Sequence, residues 1–463
     1  MVSFLRYLFI FIILTLDCAF VRADTNVLVD PAVRYQTFEG WGVSLAWWAK
    51  GVGTFPDSYR NDYMEKVFDP LKGLGFNIVR YNIGGGENPS LHTLSFRANM
   101  EGFEPTPGHW NWDADAGQRW VLQQAKTRGA NIFEAFSNSP PYWMTLSGSV
   151  TGNRNGRENN LATAHVKDFA EYLATVAEYF KDHEGIVFRT VEPFNESTSG
   201  WWHYGDSQEG CHCDSHYQAW IIGFVGRALA TRNLTTRISA PDENSIDDTL
   251  ACFLSYPHKI QDFISQINTH SYNGNQRKEL AQAAAAAHKI LWQSEYGDAD
   301  ASGLTLSNRI VDDVRHMHPA AWIYWQAVDG ATWGLLINNM DGVPSAPKMG
   351  KKYWVMANYS RFIRPGSVFI NIHHWDSLAA LDVTGHILTI VTTNGDNRDA
   401  TITYDLSRFD TSHAVITAYR TSPIENLAPL SGLALTEGHL NAVLPQKSVT
   451  TFVLSGVNTQ NTQ

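Results

Sequence analysis

The sequence predicts an α/β fold, a (β/α)8 TIM barrel with a small antiparallel β-sandwich side domain attached. Three observations predict it. Short apolar, β-branched runs alternate with stretches of helical period between residues 38 and 362. Beyond Pro365 the pattern changes to short alternating runs with no helical period. A chain of 463 residues also has room for one barrel of roughly 250–300 residues and a second, smaller core.

The chain opens with Met1-Val2-Ser3-Phe4-Leu5-Arg6, one positive side chain leading into an apolar run, 7–16, too short to span a bilayer. With Val21 and Ala23 suited to cleavage before Asp24, residues 1–23 read as a signal peptide. A secreted, extracellular protein is expected, without membrane attachment once the leader is removed. Residues 26–31 and 34–38 follow as two short strands separated by a turn.

Eight strand candidates then come in order: 38–44, 76–82, 131–137, 187–192, 237–241, 264–271, 289–295 and 321–326. In the first, Gly40 and Gly42 permit close backbone packing. Helical spacing marks 57–74, 114–128, 162–182, 215–230, 278–288, 306–316 and 351–362, so strand and helix alternate as a parallel barrel requires. The barrel is placed at 38–362. From 363 to 463, runs such as 387–391, 400–404, 414–419 and 448–454 are separated by turns such as Asn394-Gly395-Asp396-Asn397, the pattern of a sandwich.

Composition narrows the function. A net charge of −11 and a pI near 5.8 argue against nucleic acid as a partner, because that affinity rests on cationic side chains. The chain holds 16 Trp and 18 Tyr, many beside Gly, Asn and Ser, and aromatic faces suit sugar rings. Loss of Cys18 with the leader leaves three cysteines; one disulfide is expected, Cys252 with Cys211 or Cys213, the 211–213 ring being strained. Cys211-His212-Cys213 has no second spaced pair, so no metal and no cofactor is expected. Asn233-Leu234-Thr235, Asn358-Tyr359-Ser360 and Asn195-Glu196-Ser197 are formal glycosylation sequons, but a glycan at the last would obstruct the site described next.

Two strands deliver a glutamate to their ends: Val187-Phe188-Arg189-Thr190-Val191-Glu192-Pro193-Phe194-Asn195-Glu196 and Lys289-Ile290-Leu291-Trp292-Gln293-Ser294-Glu295-Tyr296-Gly297. All strand C-termini of a parallel barrel open on one face, so the two carboxyls become neighbours there. Such a pair divides the work of glycosidic cleavage: Glu196 as acid/base and Glu295 as nucleophile in a retaining reaction, with one of the two acids expected to keep its proton. Asn195 is placed to hold the sugar 2-hydroxyl. Arg80, read as ending strand two, is placed to orient Glu295, and His270 and Tyr272, after strand six, to touch it. Trp325 ends strand eight as a floor beneath the sugar, with Trp47, Trp48, Trp143, Trp201, Trp202 and Tyr204 as candidate walls. Glu134 and Glu192 read as structural. A carbohydrate-binding protein needs the aromatic walls but no matched acids, and a metal-dependent hydrolase needs more strand-end ligands than His270.

At these residues the chain resembles glycoside hydrolase family 30, across essentially the whole mature sequence. Glu196 in Glu192-Pro193-Phe194-Asn195-Glu196 matches the acid/base motif of that family, and Glu295 in Trp292-Gln293-Ser294-Glu295-Tyr296-Gly297 its nucleophile motif. The resemblance implies a β side domain built from both termini, to which residues 24–37 contribute. The opening Gly40-Trp41-Gly42-Val43-Ser44-Leu45-Ala46-Trp47-Trp48-Ala49 departs from the glucosylceramidase branch and looks like the fungal endo-β-1,6-galactanase branch. The substrate this implies is polysaccharide, the β-1,6-linked galactan side chains of arabinogalactan proteins, handled by a monomer. Endo-β-1,6-glucanase, glucuronoxylanase and glucosylceramidase activities are the alternatives within the family.

Overall fold

The computed structural model describes residues 25–338 and 343–460; the signal peptide expected at 1–23, with Cys18 and the expected cleavage point, lies outside them. Strand β1 (Thr25–Thr37) precedes the barrel strands β2 (Gly40–Ser44), β3 (Ile78–Asn82), β4 (Ile132–Phe136), β5 (Thr190–Glu192) and β6 (Arg237–Ser239). A short β7 (Glu243–Ser245) follows, then β8 (Ile264–Asn273), β9 (Ile290–Tyr296) and β10 (Ala321–Gln326). The hydrogen-bonded order is β6-β5-β4-β3-β2-β10-β9-β8-β7, and a further β6–β8 pairing closes the ring with all its strands parallel. Each of the eight runs foreseen in the sequence supplies one barrel strand; β7 is an extra, three-residue strand beside β8.

Local sequence explains the helices. α1 (Trp48–Val52), α2 (Asp57–Phe68) and α3 (Ala116–Thr127) come first; α2 stops before Pro70 instead of reaching residue 74, because proline cannot continue a helix. In α4 (Val166–Tyr179), Val166, Phe169, Ala170, Leu173, Val176 and Ala177 recur at helical spacing and are all buried. Asp214 caps α5 (Ser215–Thr231) by accepting the N–H of Tyr217. A helix absent from the sequence reading, α6 (Ile246–Ser255), is capped by Ser245, whose Oγ accepts from Asp248 N at 3.0 Å and donates to its carboxyl at 2.7 Å. The remaining helices are α7 (His258–Gln261), α8 (Arg277–Ala286), α9 (Leu304–His316) and α10 (Lys351–Ser360).

The C-terminal strands form a mostly antiparallel sheet region joined to the barrel by β1. That strand is continuous, not two strands with a turn: Thr25–Leu28 pair in parallel with residues Ile402–Asp405, and the rest pairs antiparallel with Val368–Ile372, with irregular register on either side of Arg34. The sheet closes over its own apolar core, including Val27, Ile370, Ile390, Tyr404 and Phe452. The barrel core runs on into the inner face of this region through Phe369, Leu378, Val391 and Val449. Asn358 belongs to that junction: fully buried, it donates to Thr421 Oγ1 and Trp354 O, and its own oxygens accept from Thr451. The sequon there is therefore closed to a glycan in the folded chain, whereas Asn233 is exposed at the turn after α5.

The expected disulfide is absent. Cys211, Cys213 and Cys252 are all free and buried. Cys252 lies against Gln218 Oε1 at 3.3 Å and Tyr256 OH at 3.4 Å, while the sulfurs of Cys211 and Cys213 lie 3.9 Å apart. The barrel core has enough buried apolar surface to fold without a cross-link. Among the described residues no helix is long and apolar enough to cross a membrane.

Candidate active site

A cleft of about 400 Å³ opens at the C-terminal ends of the barrel strands, lined by Trp47, Asn195, Glu196, Asn244, Tyr272, Glu295, Trp325 and Trp333 among others. A larger hollow, about 710 Å³, lies between α9, α10 and the β region, but contains neither of the paired acids.

Glu196 follows the three-residue β5 and is held in a left-handed conformation, φ 50°. Its N–H donates to Asp242 O at 2.9 Å, and its carbonyl accepts Trp202 Nε1 at 2.9 Å. Asp242, likewise left-handed at φ 57°, carries the loop after β6 against the loop after β5. Such conformations cost of order 1–3 kcal/mol and persist only where surrounding contacts over-determine them. Glu295 is the penultimate residue of β9 and almost fully buried. Tyr272 OH donates to its Oε1 at 3.1 Å, and Arg80 Nη1 lies 3.5 Å from Oε2. One oxygen of each glutamate and a nitrogen of His270 lie within 4.8 Å of one another.

Three sequence placements are shifted. Arg80 lies in the middle of β3, not at its end, and is completely buried beneath the cleft. Its Nε donates to Glu134 Oε1 at 2.9 Å, Nη2 to Asp242 Oδ2 at 2.5 Å, and Nη1 to Ser294 O at 3.0 Å. His270 and Tyr272 lie within β8, which runs to Asn273, and not beyond its end. His270 Nδ1 is 2.9 Å from Glu196 Oε1 and 3.5 Å from Glu295 Oε1, with Nε2 3.4 Å from Asp242 Oδ1. Trp325 is the penultimate residue of β10 and meets Trp47 edge-on at 5.1 Å.

Asn195, nine-tenths buried, lines the cleft, and its Oδ1 has no hydrogen-bond partner among the described residues. Trp143 and Trp201 do not line this cleft: Trp143 donates to Glu104 O and packs edge-on against His165, and Trp201 is 47% exposed beside Trp202. Trp48 is buried in α1, and Trp202 in the support of Glu196. Residues the sequence reading passed over are Asp242, Asn244, Arg97, Asp329 and Trp333. Arg97 and Asp329 form an ion pair at 2.8 Å at the Trp47 end of the cleft. Trp333 packs closely on Gly297, where an added Cβ would come within 3.1 Å of its ring and push it outward by a few tenths of an ångström.

The electrostatics follow from burial and charge. Burial alone would raise Asp242, but Arg80 and His270 hold its carboxyl well below the usual carboxylate range. Burial would strip His270 of its proton; the charges of Glu295 and Asp242 keep it raised well above an ordinary imidazole. Burial pushes Glu295 up to about 7, with the Glu196 charge adding to the rise and His270 and Arg80 pulling against it. Glu295 therefore gives up its proton less readily while Glu196 is charged. Glu192, the last residue of β5, is pushed well up by burial and by Asp242 and Glu134, and its carboxyl has no partner among the described residues. Glu134 instead accepts from Arg80, Thr190, Gln266 and Asn268.

Glu196, His270 and Glu295 are also the one trio among the described residues whose ligand atoms are close enough to suggest a cation site. The fit is poor. His270 Nδ1 and Glu196 Oε1 are at hydrogen-bond separation, and a raised, protonated imidazole repels a cation.

The chain matches known proteins in sequence and in fold. The model of O-glycosyl hydrolase family 30 matches residues 24–344. An endo-β-1,6-galactanase of Hypocrea rufa is 37% identical over 94% of this chain and 96% of its own length. Among solved structures, a conserved exported protein from Bacteroides fragilis superimposes with a TM-score of 0.80 at 22% identity, covering 93% of this chain and all of its own. The catalytic domain of a family 30 xylanase from Talaromyces cellulolyticus does so with a TM-score of 0.72 at 21% identity over the same shares. The match over most of the sequence, with the barrel and side region built as described, shows that the chain belongs to O-glycosyl hydrolase family 30.

Proposed function

We propose that this family 30 glycoside hydrolase is a retaining endo-β-1,6-galactanase, secreted and monomeric, acting on β-1,6-linked galactan such as that of arabinogalactan proteins. The observation that carries the substrate is the 37% identity, along nearly the full length of both chains, to an endo-β-1,6-galactanase. The leader read at 1–23 supports secretion.

The mechanism rests on the close approach of the two carboxyls. Ligand oxygens within 4.8 Å fit the roughly 5–5.5 Å carboxyl separation of retaining enzymes and fall short of the roughly 6.5–9.5 Å that admits a water between them. Burial and the Glu196 charge raise Glu295, and the donors on its two oxygens, Tyr272 OH and Arg80 Nη1, act against that rise and support the ionised form that a nucleophile needs. In the first step a Glu295 oxygen bonds to the anomeric carbon as the glycosidic C–O bond breaks, and the Glu196 proton passes to the leaving oxygen. In the second, water gives a proton to Glu196 and its oxygen displaces Glu295 from the same carbon. The ring then lies in the cleft beside Glu295 and Trp325, with Asn244, Gln208, Trp47, Arg97 and Asp329 on the surrounding walls as contacts for the neighbouring sugars. Asn195, with its unpartnered Oδ1, is the group beside the 2-hydroxyl.

The test is product size over time on β-1,6-galactan, β-1,6-glucan, glucuronoxylan and glucosylceramide. Early release of mixed short galacto-oligosaccharides from the first alone is expected. Cleavage of another substrate instead would overturn the galactan assignment, and binding without cleavage would overturn catalysis.

A further inference from the structure

Both donors that reach the Glu196 carboxyl converge on one of its oxygens. Asn244 Nδ2 donates to Oε1 at 2.7 Å, and His270 Nδ1 lies 2.9 Å from the same atom. Oε2 has no hydrogen-bond partner among the described residues. Asn244 sits in β7, half-buried on the cleft wall, and its amide is oriented from behind: Asn273 Nδ2 donates to Asn244 Oδ1 at 3.2 Å, which turns the Asn244 NH2 toward Glu196. The backbone of Glu196 is already fixed through Asp242 and Trp202, so what remains free is its side-chain torsions.

The two donors differ in kind. His270 is shared with Glu295 at 3.5 Å and with Asp242 at 3.4 Å, so its placement follows the charge of three carboxyls. An amide neither gains nor loses a proton during turnover. Its N–H serves Oε1 equally when that atom is a carboxylate oxygen and when it is the carbonyl oxygen of the protonated acid.

We propose that Asn244, oriented by Asn273, is a positioning residue that locks the Glu196 carboxyl so that Oε2 is the atom that delivers and recovers the proton. In the first half-reaction the Oε2–H bond breaks as the glycosidic oxygen takes the proton; in the second, water returns a proton to Oε2. Oε1 keeps the same amide donor throughout. This rests on the reading of Glu196 as acid and base.

The test compares kcat/KM, which reports the first half-reaction, on phenyl and 2,4-dinitrophenyl glycosides of β-1,6-galactobiose, two leaving groups of similar shape of which only the first needs a proton and neither carries a sugar that could bind Asn244. Asn244→Leu, similar in size but without the donor, is expected to lose about 10- to 100-fold on the phenyl substrate and markedly less, under about 3-fold, on the dinitrophenyl substrate. Asn273→Ala, an exposed position outside the cleft lining, is expected to show the same selectivity with a smaller loss and an unchanged melting temperature. Equal losses on both substrates would make Asn244 a wall of the sugar site and overturn the proposal, as would no loss on either. Glu196→Gln is run in parallel. If it lacks the leaving-group selectivity, the acid role of Glu196 itself is wrong; if it shows the selectivity and Asn244→Leu does not, only the positioning role is wrong.

Discussion

The backbone N–H of Glu196 donates to the carbonyl oxygen of Asp242 at 2.9 Å, and both residues hold left-handed backbone. The loop that carries one candidate catalytic acid is thus clasped to the residue whose carboxyl receives Arg80 at 2.5 Å beneath the other.

Asp242→Asn keeps that backbone shape and removes only the charge. Arg80 and His270 then lose a buried counter-ion, and the unfolding free energy is expected to fall by about 3 kcal/mol at pH 6. Because Asp242 titrates below its unfolded value, its contribution is complete above about pH 4 and is lost on further acidification. Denaturant melts at pH 6 and pH 3 should show the deficit narrowing at the lower pH; a constant deficit would mean the charge is not its source.

Glu295→Gln is expected to abolish hydrolysis and leave the fold intact. The folded protein holds the Glu295 proton more tightly than the unfolded chain, so this group costs stability as pH rises from about 4.5 to about 7. The variant should match the parent near pH 4.5 and exceed it at pH 8 by about 1–3 kcal/mol, read from thermal or denaturant melts. Retained turnover would remove Glu295 from the mechanism.

Glu196→Gln takes away a charge that raises Glu295. On an activated aryl glycoside, whose cleavage needs little acid assistance, the acidic limb of the pH–rate profile is expected to move down by about one unit. A limb that stays in place would show that the two carboxyls do not sense each other.

Of the three sequons, Asn233 alone is open at the surface. Peptide mapping of protein secreted from a glycosylating host is expected to find glycan there and at neither Asn195 nor Asn358. Asn358→Ala should destabilise the protein by about 1–3 kcal/mol, since it leaves partners on both sides of the junction unpaired. Glycan found at Asn358 would contradict the packing of α10 against the β region.

The parts of this protein legible in its sequence are those that local pattern encodes. β3 and β9 announce themselves as runs of apolar residues, α4 as a stripe at helical spacing, and Glu196 and Glu295 as carboxyls at the ends of such strands. The Ser245–Asp248 cap of α6 was also present locally, in a helix only ten residues long and easily passed over. Asp242 was not legible. It follows Pro241 at what looked like the end of a strand, and nothing near it indicates that it meets Arg80, which lies 162 positions earlier. Trp333 and Trp201 look alike as aromatics in loops beside glycine, yet one lines the cleft and the other faces solvent.

Alternation of strand and helix, the change of texture beyond Pro365 and the two strand-end glutamates follow from each residue and its near neighbours, because burial on one face repeats with the period of the element. Closure of the barrel decided the rest: that Arg80 lies under the cleft, that Asn244 and His270 share one oxygen of Glu196, and that the cysteines stay apart from any cross-link. Those are contacts between distant parts of the chain, and their distances exist only once every strand has found its register.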